Sequence, residues 1–200
     1  MSITINGSGT ITGISAGGLP DGSVTAADIE SSLDLTGKTV TLPSGTGGKF
    51  DSYAIIADQK AAGTNAGTFN NGSWVTRELN TELADTDNIV SITTNQFTLA
   101  AGSYLIKASA PAYQVDGHQV RLYNVTDTAT AIVGEITYTS TTSGAQIRSA
   151  LSGRITITES KTFELQHRCT TGRANNGLGN GVDFGEVNLY AMVEIYKEAG

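Results

Sequence analysis

Three features of this 200-residue chain predict an all-β fold, an antiparallel sandwich or barrel. From Phe50 onward, apolar and polar residues alternate with a period of two. The alternating stretches are rich in Val, Ile, Thr and Tyr, and recur about every 10–15 residues between clusters of Gly, Asp, Asn and Ser. No long amphipathic helical pattern interrupts them. Regular short strands separated by turn residues are the signature of sandwiches and barrels.

The elements follow in order. Tyr53-Ala-Ile-Ile-Ala57 reads as a buried strand, because its apolar run is unbroken. Trp74–Arg77 and Asn88–Ile92 read as short strands with charged turns between them. Phe97–Leu99 runs into an Ala101-Gly102 turn, then a strand over Ser103–Ala110. Asp116-Gly117 supplies the next turn, followed by His118–Val125 and Ile132–Tyr138. Ile147–Thr158, Phe163–Cys169 and Val187–Lys197 complete the set. The roughly 150 residues from 50 to 200 suffice to bury about two thirds of their unfolded surface, enough for an independent core.

Alternation also assigns faces. In the last strand Val187, Leu189, Ala191, Val193 and Ile195 share the face expected inside. Asn188, Tyr190, Met192, Glu194 and Tyr196 share the other. That second face is too apolar for ordinary solvent exposure, so either another subunit or the protein's own loops must cover it.

Residues 1–49 differ from the rest. All 13 aromatic residues lie at or after Phe50, whereas ten of the 24 glycines precede it. A Gly/Ser/Thr-rich stretch without aromatics buries too little apolar area to order alone. Ile3, Ile5, Ile11, Ile14 and Leu19 are nevertheless spaced through it. Two readings stand: a disordered tail, or an extended arm ordered by docking on a partner or on copies of itself. The division expected is an arm over 1–49 and a head over 50–200.

Composition narrows function. Twelve basic against 19 acidic side chains give a net charge of −7 and a pI near 4.7. Coating nucleic acid needs clustered Lys and Arg, so no nucleic-acid partner is expected. With only three prolines and no G-x-y period, collagen is excluded. One cysteine excludes an internal disulfide and a multi-cysteine zinc site. Two distant histidines leave little for a histidine-rich metal centre, and no D-x-[DN]-x-[DN]-G run marks a calcium loop, though a loop site of Asp and backbone oxygens stays open; no metal ligand or cofactor is assigned. No apolar run approaches about 18 residues, so no membrane insertion is expected. The opening MSITINGSGT has neither the basic nor the apolar segment of a signal peptide.

No catalytic residues are assigned, and a non-enzymatic protein is expected. Cys169 shares a strand face with Phe163, Leu165 and His167, where a small core thiol and a hydrogen-bonded structural histidine are the ordinary occupants. The scattered carboxylates form no local pair of the kind a glycosidase uses. His118 opens its strand after Gly117, where exposure is expected and ligand contact is open to it, although a lone exposed histidine usually has no special role. The loop 171–184 carries Gly177, Gly179 and Gly181, but lacks the strand-then-helix context of a phosphate loop. Its Arg173, Asn175, Asn176 and Asn180 offer donors and acceptors suited to a sugar, and equally to solvent.

The stretches FTLAAGSYLIKA from Phe97, HQVRLYN from His118, FELQHRC from Phe163 and EIYK from Glu194 resemble the jelly-roll head shared by complement's first component and tumour necrosis factor. In particular they resemble the version found at the C-terminal tips of bacteriophage fibres. Over 1–49, the segments from Ile14 to Ala26 and from Leu35 to Pro43 also look like attachment segments of phage fibres. The resemblance implies a homotrimer of jelly rolls of about ten antiparallel strands, located on the virion at its tail or capsid surface. The arm, through Ile3, Ile5, Ile11, Ile14 and Leu19, would dock on other virion proteins. The face bearing Tyr190, Met192 and Tyr196 would form the trimer interface. His118, Arg173, Asn175, Asn176 and Asn180 would meet a host-surface glycan or protein. The expected function is thus a short tail fibre or spike that binds a receptor. Its rivals are a capsid-decorating fibre or cement protein without a receptor role and, last, a polysaccharide-degrading enzyme.

Overall fold

The computed structural model describes residues 49–199. The expected arm, except for Lys49, and with it Ile3, Ile5, Ile11, Ile14 and Leu19, falls outside the described residues. These contain no helix and eleven strands: β1 Phe50–Lys60, β2 Val75–Thr76, β3 Thr81–Ala84, β4 Val90–Thr93, β5 Gln96–Leu99, β6 Gly102–Tyr113, β7 Asp116–Asn124, β8 Ala129–Thr139, β9 Gln146–Ile157, β10 Lys161–Cys169 and β11 Asn188–Glu198.

All pairings are antiparallel. One sheet runs β3-β1-β11-β6-β9; the other runs β4-β5-β10-β7-β8, with two-residue β2 also on β10. From β5 to β11 every connection crosses between the sheets except the β7–β8 hairpin. That winding makes the sandwich a jelly roll.

The core lies between the sheets, where inward positions alternate as expected. Ile56, Tyr104, Ile106, Val193 and Ile195 come from one sheet, and Phe97, Leu99, Leu122, Phe163 and Leu165 from the other. Phe97 and Phe163 face each other across the β5–β10 pair with ring centroids 5.8 Å apart. Burying each such side chain contributes about 1.5–3 kcal/mol. A smaller cluster of Phe69, Ala112, Val115 and Cys169 closes one end.

The sequence reading missed β3, whose exposed Glu82 and Leu83 break the alternation. It is an edge strand paired only to β1, and a charge there protects the edge while concealing the pattern. The expected Asp116-Gly117 turn sits slightly earlier. Gln114 and Asp116 take the positive φ values, 56° and 59°, and Gly117 already belongs to β7.

Two side-chain expectations are corrected. In β11, Ala191, Val193 and Ile195 are buried in the core, but Leu189 and Val187 are exposed and Tyr190 is buried. The pairs Ala57↔Met192 and Gln59↔Leu189 leave Asp58 opposite both Tyr190 and Ala191. This β-bulge reverses the inward–outward phase beyond it. The chain's own loops cover Tyr190, whose hydroxyl donates to Thr64 O at 2.6 Å. Met192 and Tyr196, on the unbulged side, remain half-buried on the outer face. His118, expected to be exposed, is 2% exposed. Its register opposite Cys169 turns it inward with Val120 and Leu122.

Candidate functional site

Sheet register assembles a groove on the outer face of the second sheet. Ile136 of β8 pairs with Gln119 of β7, which pairs with Arg168 of β10, so the three form one row across the strands. Tyr138 pairs with Gly117 in the next position. Asn71, Gly72 and Trp74 from the segment before β2 wall the groove, and Thr170 closes its end. The cavity measures about 470 Å³, within the roughly 300–1,000 Å³ typical of small-molecule sites.

Its aromatic walls are held by specific contacts. The Arg121 guanidinium lies 4.2 Å from the centre of the Trp74 ring and 4.7 Å from that of Tyr123. Arg121 is fixed in turn through Nε to Gln166 Oε1 at 2.7 Å and Nη1 to Thr130 Oγ1 at 3.0 Å. Each cation–π contact contributes about 0.5–1 kcal/mol at an exposed site. Partial burial beneath the rings lowers the Arg121 pKa. Tyr138 rests over Gly117, where a Cβ would stand 3.2 Å from its ring and 3.0 Å from Thr170 Oγ1. A side chain there would press on that ring and on Thr170.

Behind the groove lies a buried histidine pair. His118 Nδ1 and His167 Nε2 are 2.9 Å apart, and the Phe69 ring centre is 4.7 Å from that of His167. One imidazole donates and the other accepts, so at least one of the two is neutral. Burial lowers the His118 pKa to about 4, with the Arg77 charge adding to the effect. Burial also holds His167 well below 6.5, helped by Arg77, His118 and Arg148. His118 Nε2 and His167 Nδ1 have no hydrogen-bond partner among the described residues.

Arg77 is itself fully buried, donating to Pro111 O at 3.3 Å and Leu178 O at 2.9 Å. Burial pushes its pKa down to about 10, which still leaves it charged at neutral pH. Asp58, equally buried, has Lys60 Nζ 3.2 Å from its Oδ1 in an ion pair that lacks hydrogen-bond geometry. Burial raises the Asp58 pKa despite that cation. Cys169 is buried, and desolvation raises its thiol pKa to about 11, the opposite of an activated nucleophile. Among the described residues no three His, Cys, Asp or Glu side chains converge as a metal site.

Of the residues expected to contact ligand, only His118 borders the groove. The other four tie the loop to itself and to neighbouring segments. Arg173 Nε donates to Asn176 Oδ1, and Asn176 Nδ2 to Asn180 Oδ1, each at 2.8 Å. Asn180 N donates to Gln146 Oε1 at 2.6 Å. Asn175 alone is exposed; its φ is 69° and its backbone N donates to Thr68 Oγ1. The three glycines serve close packing. A Cβ on Gly177 would stand 2.6 Å from Arg173 O, one on Gly181 2.7 Å from Thr64 O, and one on Gly179 inside the Tyr190 ring.

Trp74, Gln119, Ile136, Tyr138 and Arg168 were missed. Strand parity alone placed Ile136 with Tyr138, and set Arg168 opposite to His167. Only the β7–β8 and β7–β10 registers bring these groups into one row.

No protein-family model matches the sequence, and no curated protein matches it. Solved structures are similar in fold. Murine APRIL at pH 5.0 shares 10% identity with a TM-score of 0.49, over 73% of this chain and 98% of that one. The globular domain of zebrafish complement 1qA protein shares 13% with a TM-score of 0.47, over 72% and 95%. At such identities the likeness concerns the fold alone.

Proposed function

We propose that this chain is the homotrimeric head of a bacteriophage tail fibre or spike, attached to the virion through residues 1–49 and binding a host-surface receptor. The groove carries this reading. It is a recess walled by Trp74 and Tyr138 and edged by Asn71, Gln119, Arg168 and Thr170, an arrangement suited to holding a ligand. The nearby histidines are locked against each other and the nearby thiol is held protonated, which favours binding over catalysis.

The outer face of the first sheet supports association of copies. Tyr53 pairs with Tyr196, which pairs with Leu105, so an apolar row crosses β1, β11 and β6, with Met192 two rows on beyond the row of Ile55, Glu194 and Lys107. Three heads raise avidity, because contacts after the first form at high effective concentration.

Two measurements test the reading. Sedimentation should give a trimer that Met192→Ser with Tyr196→Ser dissociates; a wild-type monomer overturns the assembly. Intact virions are then labelled with an antibody fragment against residues 50–200. Label at the tail is expected. Label over the shell replaces receptor binding with capsid decoration, and no label on any particle removes the virion assignment.

A further inference from the structure

Resting on the groove as a recognition site, we propose that its ligand is an acidic saccharide, with a carboxylate on Arg168 and a sugar ring packed against Trp74 and Tyr138. Charge carries the first half. The chain has a net charge of −7, yet no Asp or Glu lines the groove. Arg168 stands there exposed and belongs to none of the ion pairs among the described residues. A guanidinium in that position matches a carboxylate through two parallel N–H···O bonds.

Shape and polarity carry the second half. Sugar rings present flat C–H faces to aromatic rings and ring hydroxyls to amides, and the groove offers both. Trp74 is held by Arg121, so that wall is ordered before ligand arrives, which lowers the entropic cost of binding. Asn71, Gln119 and Thr170 supply neutral donors and acceptors. A carboxylate-bearing peptide fits less well. The groove lies across the faces of β7 and β10, whose backbone groups already pair within the sheet; only β8, the edge strand, has a free side, and peptide binding is therefore an outcome of the test below.

The test uses the full chain and its single tryptophan, Trp74, as fluorescent reporter. Oligosaccharides ending in glucuronate or N-acetylneuraminate are titrated against neutral hexose oligosaccharides of equal length. Acidic ligands are expected to shift Trp74 emission and to bind at least tenfold tighter. Arg168→Gln should cost those ligands about 10- to 100-fold, the worth of a charge-assisted hydrogen bond, and leave neutral ones unchanged. Arg168 is exposed, so an unchanged melting temperature certifies the fold of Arg168→Gln. Equal affinity for both classes, or unchanged affinity on Arg168→Gln substitution, overturns the proposal. So does preferential binding of peptides bearing a terminal carboxylate. Attachment of the protein to cells of the host strain separates this proposal from the reading beneath it. Attachment that Trp74→Ala weakens but free acidic saccharide does not compete overturns the saccharide and keeps the receptor role. Absence of both attachment and saccharide binding overturns both.

Discussion

Lowering the pH from 7 to 5 should destabilise this head through its two histidines. Both imidazoles have folded-state pKa values below the ordinary 6.5, His118 at about 4 and His167 well below. As pH falls through 6.5 the unfolded chain takes up protons that the folded chain refuses, so stability is full above 6.5 and drains away toward about 4. For His118 the loss between pH 7 and pH 5 comes to about 2 kcal/mol, and His167 adds a loss of the same sign. The physical cause is burial, which denies a cationic ring its water, with Arg77 repelling both rings and His118 and Arg148 adding to the repulsion at His167. Glu78 and Glu198, lowered by their cations, act at more acid pH, and Asp58, raised by burial, acts in the opposite sense. A difference measurement removes them. Urea unfolding at pH 7, 6 and 5 is compared between the wild type and a His118→Gln, His167→Gln double mutant, which has no histidine left. Between pH 7 and 5 the wild type should lose more stability than the double mutant does, by about 2 kcal/mol or more. Equal slopes would refute the reasoning. If the double mutant does not fold, imidazole proton shifts of the wild type decide the matter, and a titration midpoint near 6.5 for either ring has the same force.

Other substitutions probe other layers. Phe163→Ala removes a core ring stacked on Phe97 and should cost about 3–5 kcal/mol in urea unfolding. Tyr190→Ser should cost a similar amount by opening the seat at Gly179, yet leave sedimentation of the folded fraction trimeric; dissociation instead would return Tyr190 to the interface. Arg121→Gln frees the Trp74 ring, and its emission should shift red while the melting temperature changes little. Gly117→Val should displace Tyr138, weakening ligand binding at the groove more than it lowers stability in a paired melting assay. Cys169, with its pKa near 11, should react with a thiol reagent at pH 8 only at the rate of global unfolding.

The loop from Thr171 to Asp183 shows how composition can be read correctly and still mislead. Its glycines, asparagines and arginine are the residues of a binding loop, and also those of a loop that must lie flat on other backbone. The structure shows the second use, since each glycine lets a carbonyl or a ring approach where a Cβ would stand. The side-chain amides then hold the loop to itself rather than facing outward.

Sequence by itself determined the fold class, because a period of two records which side chains must leave water. It placed the strand of Phe163, Leu165, His167 and Cys169 with its inward face correct, and recognised that Cys169 and His167 are structural. It also assigned Ala191, Val193 and Ile195 to the core. It failed at β3, where an edge strand owes its existence to β1 rather than to its own pattern. It failed on the N-terminal side of Ala191, where a bulge opposite Asp58 reversed the phase and buried Tyr190. Only the tertiary structure placed Ile136, Gln119 and Arg168 in one row and brought Trp74 over Arg121. Those neighbours lie on separate strands and are joined by register alone, and register is set by the whole core. Periodicity reports a local exchange with solvent, whereas a site is a coincidence of distant strands.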